Sequence, residues 1–307
     1  MTDLRPILCD YLSIRRSLGF KLDRIGKLLP DFVAFLADSG TDVIATRLAV
    51  AWACKPAGAS ARWSANRLAM VRAFACYVHT IDPRTEIPPL DLLPFIKRRL
   101  PPYIYSDTEV KALLSATRRI GDAFRAHTYC TVVGLLAATG MRVGEAIALD
   151  RQELDDAEKV ISIRDSKFGK SREVPLHPTT FQALAEYARA RDRRYRKSSN
   201  PAFFLSLAGT RLIYNNVHMT FFTLVDWAGL ADRKPRRPRI HDLRHTFAVR
   251  TLTDWHQAGL DVERKLPLLS TYLGHVNPSS TYWYLSADPQ LLGVAATRLE
   301  ESWGELP

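Results

Sequence analysis

Near its end the chain reads Leu273-Gly-His-Val-Asn-Pro-Ser-Ser-Thr-Tyr-Trp-Tyr284. This segment places a tyrosine, Tyr284, nine positions after a histidine, His275, with a turn-and-cap sequence between them. A tyrosine hydroxyl is a poor nucleophile because its ordinary pKa is about 10. Covalent chemistry at Tyr284 therefore requires cationic and hydrogen-bonding side chains from other parts of the chain.

The composition favours a folded protein with an acidic partner. The chain has 307 residues, of which 47% are hydrophobic, enough for one large domain or for two. Its formal net charge is +11. The excess is not confined to one tail, since residues 1–100 carry 15 Lys and Arg against 9 Asp and Glu, and the remaining 207 residues carry 28 against 23. Nucleic acid is the commonest acidic partner, and a basic enzyme without one is the alternative on charge alone.

The cysteines Cys9, Cys54, Cys76 and Cys130 are widely spaced and fall in apolar helical patterns. Because they form no CxxC pair, we expect buried free thiols rather than disulfides or a structural zinc site. The first residues lack the basic-then-apolar pattern of a signal peptide. No uncharged run approaches the roughly 18 residues that a membrane-spanning helix needs. These features predict a cytoplasmic protein with no membrane partner.

The first 80 residues show apolar side chains at helical spacing. Gly19 and Gly40 are predicted to follow the ends of the first two helices. The predicted helices cover residues 7–18, 22–36, 47–54 and 60–79. In the last of these, Arg62 and Arg72 lie away from the apolar stripe and Arg67 near its edge, which predicts a basic outer face available for phosphates. Solvated surface arginines are the alternative.

Between Pro83 and Pro102 the composition changes, because six prolines interrupt any helix. The basic cluster Lys97, Arg98 and Arg99 lies within this stretch. We interpret residues 83–104 as a basic linker that joins a helical N-terminal domain, residues 1–82, to a second domain, residues 105–307.

The second domain is predicted to be mainly helical with a small sheet. Ser106-Asp-Thr-Glu109 is a capping-box pattern, and an apolar helix over 123–138 is predicted to end at Thr139-Gly140. Residues 159–164 and 172–177 alternate as two antiparallel strands, and the turn between them carries Lys167 and Lys170. Further helices are predicted to begin at 178 and to cover 215–228, 240–255, 267–273 and 289–303.

Two further segments place charged groups where they could bind a phosphate or a metal ion. In Ala138-Thr-Gly-Met-Arg-Val-Gly-Glu-Ala146, Arg142 follows a helix-ending glycine and Glu145 comes three residues later, so that Arg142 could bind a phosphate while Glu145 holds it. A surface salt bridge is the alternative. In His241-Asp-Leu-Arg-His245, His241 and Arg244 share a helix face. The spacing of the two histidines also suggests a metal site, but HExxH is absent and no third ligand is obvious, so no metal is predicted.

Taken in order, an arginine, a hairpin lysine, His-x-x-Arg, a histidine and a final tyrosine resemble the tyrosine recombinase (phage integrase) family, including its Xer-like and transposon-borne members. The resemblance rests on Thr-Gly-Met-Arg142-Val-Gly-Glu, Ser-Lys167-Phe-Gly-Lys-Ser-Arg-Glu-Val-Pro-Leu, His241-Asp-Leu-Arg244-His-Thr-Phe-Ala, and Leu-Gly-His275 followed by Tyr284. It covers roughly residues 105–290. The segment 253–270 is somewhat longer than in compact Xer-like members.

The resemblance implies a role for each matching residue. Arg142 and Arg244 would clamp the scissile phosphate of DNA and stabilise the charge on its oxygens. His241 would add a hydrogen bond and assist proton movement, His275 would donate to a non-bridging oxygen, and Glu145 would support the arginine pocket.

The same resemblance implies that Tyr284 attacks phosphorus, forming a 3′-phosphotyrosyl link and freeing a 5′-hydroxyl. Lys167 would act as general acid to that leaving group, with Lys170 as the local rival. Tyr282 competes for the role of nucleophile, but it lies about 200° from Tyr284 around a helix, so both cannot face one site. The family spacing favours Tyr284. Because the covalent link retains the bond energy, this chemistry requires no ATP, metal or other cofactor.

The fold implied is a two-domain C-shaped clamp around a double-stranded recombination site, at the nucleoid. Four copies, identical or mixed with sister recombinases, would assemble on DNA, with the tail helix docked on a neighbour or on its own domain. The candidate DNA contacts are Arg62, Arg67, Arg72, Lys97, Arg98, Arg99, Lys170, Arg236 and Arg237. Integration, excision, transposition and dimer resolution all fit. The alternatives are a type IB topoisomerase and a non-catalytic DNA-binding regulator.

Overall fold

A computed structural model gives the fold, and it describes residues 3–93, 101–164, 171–196, 199–234, 236–275, 277 and 281–284. The chain divides into two compact units, Met1–Arg99 and Leu100–Pro307. Their boundary falls within the predicted linker of residues 83–104. In the part of the chain that the structure describes, no helix combines the length and apolarity needed to cross a bilayer.

The first unit consists of helices around one apolar core. Its helices are α1 (Leu4–Ser17), α2 (Ile25–Asp38), α3 (Thr46–Cys54) and α4 (Ala61–His79). The side chains of Asp3 and Ser60 cap α1 and α4 by accepting hydrogen bonds from backbone N–H groups of the first turn. The predicted helices are confirmed, and the core includes the fully buried Phe32, Trp52 and Phe74.

Arg67 is the exception to the predicted basic outer face, because its side chain lies inside the first unit. Only 6% of the residue is exposed. Its guanidinium carbon lies 3.5 Å from the centroid of the Trp52 ring, and Nη2 donates to the Trp52 carbonyl over 2.9 Å. Asp31, whose carboxylate accepts from the Trp52 indole N–H, also lies 3.9 Å from Nη2. The prediction that Arg67 is available to phosphates is wrong, because stacking and hydrogen bonding direct it inward.

Replacing Arg67 with alanine should therefore destabilise the first unit. The change removes a desolvated cation–π contact and the 2.9 Å hydrogen bond to the Trp52 carbonyl, so we expect a loss of about 2 kcal/mol in the free energy of unfolding. Chemical unfolding followed by tryptophan fluorescence measures this loss. Arg62→Ala, on the exposed side of the same helix, is the control and should have a much smaller effect. Equal stabilities of the two variants would contradict this account.

The other predicted arginines of α4 lie nearer the surface. Arg62 is exposed, and Arg72 is half-buried and donates to the carbonyl of Pro88. The segment that carries Pro88 also contacts α3, since the Glu86 carboxylate accepts a hydrogen bond from the Thr46 N–H over 2.7 Å. Residues 83–93 are thus tied to the helices of the first unit. Lys97, Arg98 and Arg99 lie outside the described residues.

The cysteines correct another expectation. All four are free, but Cys9, Cys54 and Cys76 are exposed and Cys130 is intermediate, so the prediction of buried thiols is wrong. Each exposed cysteine directly follows a buried residue of its helix, but its own side chain lies outside the apolar stripe that faces the core. Cys9, for example, follows the buried Leu8 but points away from the core.

Among its described residues, the second unit contains one sheet and seven further α-helices, besides two short 3-10 helices and a helical turn at residues 281–284. The helices are α5 (Asp107–Ala116), α6 (Ala123–Thr139), α7 (Val143–Ala148), α8 (Pro178–Arg194), α9 (Tyr214–Trp227), α10 (Asp242–Gln257) and α11 (Val262–Leu273). The strands β1 (Leu154–Asp155), β2 (Val160–Ile163) and β3 (Arg172–Pro175) form an antiparallel sheet in the order β1-β2-β3. The prediction of a mainly helical fold with a small antiparallel sheet is confirmed.

Local sequence signals explain most boundaries of the second unit. Ser106 and Glu109 form the predicted capping box of α5. Helix α6 ends at Gly140, which has a φ of +61°. Helix α11 begins five residues earlier than predicted, because the side chain of Asp261 caps it and Pro267 lies inside the helix. Residues 281–284 are helical, and the predicted tail helix over 289–303 lies outside the described residues.

Candidate active site

Three arginines from separate elements converge on the C-terminal end of α11. Arg172 Nε donates to the carbonyl of Tyr272 over 2.7 Å, Arg244 Nη2 to that of Leu273 over 2.7 Å, and Arg142 Nη2 to that of Gly274 over 2.7 Å. The last carbonyls of a helix have no partner within the helix, and its C-terminus favours positive charge. The backbone of α11 therefore gathers three guanidinium groups supplied by β3, α10 and the residue that precedes α7.

Two glycines with positive φ make this convergence possible. Gly274 ends α11 at a φ of +67°, and a Cβ atom there would lie 2.7 Å from Nη1 of Arg172. Gly140 supplies a second carbonyl to Arg244 over 2.9 Å, and a Cβ atom there would lie 2.6 Å from the Phe247 ring. A side chain at either position would strain the backbone and displace its neighbour.

Glu145 is the carboxylate at the centre of the arginine cluster. Its oxygens accept hydrogen bonds from Nη1 of Arg142 over 2.7 Å and from Nη1 and Nη2 of Arg172 over 3.1 and 2.8 Å. The backbone N–H of Arg142 donates to it over 2.9 Å. Burial by itself would raise the pKa of Glu145, but the hydrogen bonds from Arg172 and Arg142 and their positive charge lower it below its ordinary value of 4.5. The carboxylate is therefore ionised at neutral pH, with Arg172 and Arg142 as its partners.

Glu145→Gln should lower the free energy of unfolding at neutral pH. It should also make that free energy depend less on pH in the acid range. Removing one partner from a buried charge cluster costs roughly 3 kcal/mol at pH 7. Because the folded-state pKa of Glu145 is lowered, its stabilisation is present above pH 4.5 and is lost as the pH falls through the folded-state value. The difference in melting temperature between wild type and variant should therefore narrow as the pH is lowered below 4.5. Thermal unfolding at several pH values tests this, with the exposed Glu186→Gln as control, and a constant difference would count against the assignment.

Arg244 lies deepest among the three arginines, with 2% of its surface exposed. Burial lowers its pKa to about 10, and the neighbouring charge of Arg142 acts in the same direction. The group still carries its positive charge at neutral pH. A desolvated guanidinium interacts more strongly with a negative charge than one in water does. This position can therefore stabilise an anion effectively.

The two predicted catalytic histidines lie beside the arginines and are neutral at pH 7. His241 precedes α10 and keeps an exposed side, but its ring packs against His245, and this partial burial and the charge of Arg244 lower its pKa to about 4. Burial followed by the charges of Arg244 and Arg142 lowers the pKa of His275 to about 3. Each ring can thus donate one N–H without adding positive charge to the cluster.

The structure separates the two candidate tyrosines. Tyr284 is 2% exposed and packs with α10 and α11, whereas Tyr282 is 52% exposed. The Tyr284 ring lies 6.1 Å from the His275 ring, between centroids, and its hydroxyl oxygen lies 3.1 Å from Nδ1 of His245. Tyr284 thus shares the site with His275, and the two tyrosines face different surroundings, as the helical spacing predicts.

The basic residues before α10 hold local structure together. Arg236 donates to Oδ1 of Asp242 over 2.8 Å, and Asp242 is fully buried at the start of α10. Arg237 donates to Asp226 over 2.6 Å and lies over the Phe222 ring at 4.7 Å. Arg236 is largely buried, while Arg237 keeps 40% of its side chain exposed. Of these two predicted DNA contacts, Arg237 is therefore the more accessible.

The hairpin lysines Lys167 and Lys170 lie outside the described residues. Arg172, the first residue of β3, belongs to the site and follows Lys167 by five positions. Among the described residues, no group of three His, Cys, Asp or Glu side chains could hold a metal ion.

Comparison with known proteins identifies the family. The family model described as the phage integrase family matches residues 104–290, more than half of the chain. The chain belongs to the phage integrase family. It is 43% identical to y4rB of Sinorhizobium fredii (strain NBRC 101917 / NGR234), which is named as an integrase/recombinase, over 99% of both chains. It is 32% identical to the tyrosine recombinase XerC of Pelotomaculum thermopropionicum, over 72% of this chain and 69% of that protein.

A solved integrase has the same fold. The Tn1549 transposon integrase in complex with circular intermediate DNA aligns with a TM-score of 0.64 at 20% identity, over 95% of this chain and 99% of that one. The predicted resemblance to the phage integrase family is confirmed. With it, the predicted enzyme class, a tyrosine recombinase that breaks and rejoins DNA strands, is confirmed, and the topoisomerase and regulator alternatives are not favoured.

Sequence reasoning missed two members of this site in the phage integrase fold. Arg172 lies within the hairpin motif. Its position at the start of a predicted strand is the only sequence feature that points to it. His245 directly follows Arg244, and its spacing from His241 suggests only a metal ligand. In both cases the missing information was the partner, namely Glu145 for Arg172 and Tyr284 for His245.

Proposed function

We propose that this protein is a site-specific DNA recombinase that cuts and rejoins duplex DNA with Tyr284 as nucleophile. Attack of the Tyr284 oxygen on a backbone phosphorus breaks the bond to the 5′ oxygen and leaves a 3′-phosphotyrosyl link. A 5′-hydroxyl from a partner strand then attacks this link and releases the tyrosine. The observation that carries the proposal is the convergence of Arg142, Arg244 and His275 with Tyr284 at the end of α11.

The charges of the site fit a phosphodiester undergoing displacement. Arg142, Arg172 and Arg244 supply three positive charges, and Glu145 supplies one negative charge. Each guanidinium group has five N–H donors, and the hydrogen bonds described above use two or three of them. The remaining donors of Arg142 and Arg244 would bind the non-bridging oxygens, where negative charge grows as the tyrosine attacks.

Neutral histidines suit the same step. His241 and His275 would each donate one N–H to a phosphate oxygen, and the negative charge of bound phosphate would raise their lowered pKa values toward the ordinary range. We assign proton donation to the leaving 5′ oxygen to Lys167, with Lys170 as the rival. This assignment rests on the position of the lysines in the sequence, a short distance before Arg172 in the site.

Strand exchange between two duplexes breaks four strands, so four copies of Tyr284 are needed. We therefore propose a tetramer on two DNA sites, built from this chain alone or with sister recombinases. The two units would clamp duplex DNA at the nucleoid, with phosphate contacts from exposed basic residues such as Arg62 and Arg237. Such contacts make binding strongly dependent on salt.

Covalent capture tests this function and finds the target site in the same experiment. The protein is incubated in EDTA with randomly nicked duplex fragments of its host genome, denatured in detergent, and the attached DNA is sequenced. We expect enrichment of one short site, attached through its 3′ end, with a free 5′-hydroxyl on the released strand. Two copies of the captured site on one plasmid should then recombine. DNA that dissociates fully in detergent would overturn the proposal, and relaxation without recombination would indicate a topoisomerase.

A further inference from the structure

The hydroxyl group of Tyr284 faces a histidine outside the predicted catalytic set. The hydroxyl oxygen lies 3.1 Å from Nδ1 of His245, and the two residues are 2% and 6% exposed. His245 packs edge-on against His241, with ring centroids 4.7 Å apart, and against Trp283 at 5.5 Å. Packing on several sides therefore fixes the orientation of the His245 ring toward the tyrosine.

The other histidine beside the tyrosine is engaged elsewhere. The ring of His275 lies nearly parallel to that of Tyr284, at an interplanar angle of 24°, so it stacks on the tyrosine. Its Nδ1 lies 2.7 Å from the hydroxyl oxygen of Thr281. His275 is thus positioned by Thr281 and packs on the face of the tyrosine ring, while His245 meets the hydroxyl itself.

A buried tyrosine must lose its proton in order to attack phosphorus. The phenol holds that proton tightly, because the ordinary pKa of a tyrosine hydroxyl is about 10. A base that receives the proton must lie about 2.6–3.2 Å from the hydroxyl oxygen. The distance to His245 lies within this range. The imidazole of His245 meets this requirement when Nε2 carries the ring proton, because Nδ1 then accepts the hydrogen bond from Tyr284.

We propose that His245 is a further catalytic residue, which orients Tyr284 and receives the proton of its hydroxyl during attack. This inference rests on the proposed function. As the bond between the Tyr284 oxygen and phosphorus forms, the hydroxyl proton moves to Nδ1 of His245 and the bond from phosphorus to the 5′ oxygen breaks. The 5′ oxygen takes its proton from the general acid assigned to Lys167. In rejoining, His245 returns its proton to the departing tyrosine oxygen.

Two substitutions separate proton transfer from simple positioning. In His245→Asn the side-chain amide oxygen falls near the position of Nδ1, so it can accept a hydrogen bond from Tyr284 but cannot take its proton. His245→Ala removes both properties and leaves space for imidazole added to the solution. His256→Asn makes the matched change three turns later in the same helix, α10, and is the control.

The experiment measures single-turnover formation of the covalent adduct on a nicked duplex carrying the captured site, together with DNA affinity and melting temperature. We expect His245→Asn and His245→Ala to bind DNA as wild type does but to form adduct about 100-fold more slowly or worse. Imidazole should restore part of the rate to His245→Ala only. His256→Asn should match wild type. Wild-type cleavage by the folded His245→Asn variant would overturn the inference while leaving the proposed function intact.

A modified substrate identifies which oxygen His245 serves. Replacing the bridging 5′ oxygen by sulfur creates a leaving group that departs without a proton. A defect in removing the proton of Tyr284 should persist on this substrate, so both His245 variants should stay slow. If sulfur restored their rates, His245 would act on the leaving group and the inference would be wrong. Failure of the wild type to form any adduct would instead refute the proposed function and the inference with it.

Discussion

Tyr284→Phe should abolish covalent attachment to DNA, because phenylalanine keeps the buried ring but lacks the attacking oxygen. The ring packs against α10 and α11 with 2% exposure, so the variant should fold and bind DNA as wild type does. Among the described contacts, the substitution removes the hydrogen bond to His245. Adduct trapping on a nicked site should therefore fall below detection, while the dissociation constant for DNA stays within about threefold of the wild-type value.

Tyr282→Phe is the matched control for that result. Tyr282 lies two residues earlier and is 52% exposed, so loss of its hydroxyl should leave adduct formation unchanged. If Tyr282→Phe lost the adduct and Tyr284→Phe kept it, Tyr282 would be the nucleophile. Loss of the adduct in both variants would mean that the segment is disturbed by either change, and a crystal structure of each would then show the altered packing.

Arg244→Ala should show the second largest effect, on activity and stability together. The change removes a buried positive charge from the proposed phosphate site, and removal of one such donor typically slows catalysis by about 100- to 1,000-fold. It also leaves the carbonyls of Gly140 and Leu273 without the hydrogen bonds of 2.9 and 2.7 Å that they receive. A buried carbonyl that loses its partner costs roughly 1–3 kcal/mol.

Two further variants separate these two effects of Arg244. Arg244→Lys keeps the charge but not the forked geometry, so stability should recover more than the cleavage rate. Arg250→Ala removes another arginine of α10, which pairs with Asp107 at 2.6 Å and is 40% exposed, and should leave the cleavage rate unchanged. Adduct formation and thermal unfolding measure both properties. A cleavage rate of Arg244→Ala close to that of wild type would contradict the assignment of Arg244 to the phosphate site.

Sequence patterns anticipated the elements wherever a local signal specified them. Gly140 was predicted to end α6, and the capping box at Ser106 and Glu109 to begin α5, because backbone conformation and hydrogen bonding at these positions depend on neighbouring residues. The start of α11 was predicted wrongly at Pro267, because proline is common in the first turn of a helix. The residue that caps the helix is Asp261. The additional strand over residues 154–155 was too short to show alternation.

Side-chain contacts between separate helices and strands could not be predicted from the sequence. Arg67 lies beside the apolar stripe of α4. Its side chain points inward because it contacts Trp52, which lies in another helix. The three carbonyls that gather Arg142, Arg172 and Arg244 carry no sequence signal, because every residue has a carbonyl. Only the end of α11, shaped by the positive φ of Gly274, makes them acceptors. The order of the charged motifs indicated the family, but the arrangement of their side chains required the fold.

Mass spectrometry of the trapped adduct tests the central claim most directly. Trypsin should release Leu266–Arg298, which contains Tyr272, Tyr282 and Tyr284. After nuclease digestion, fragmentation of this peptide locates the residue that carries the nucleotide. The account predicts a phosphodiester to the 3′ end of DNA on Tyr284 and an unmodified Tyr282. A nucleotide on Tyr282, on Tyr272 or on any other residue would contradict it.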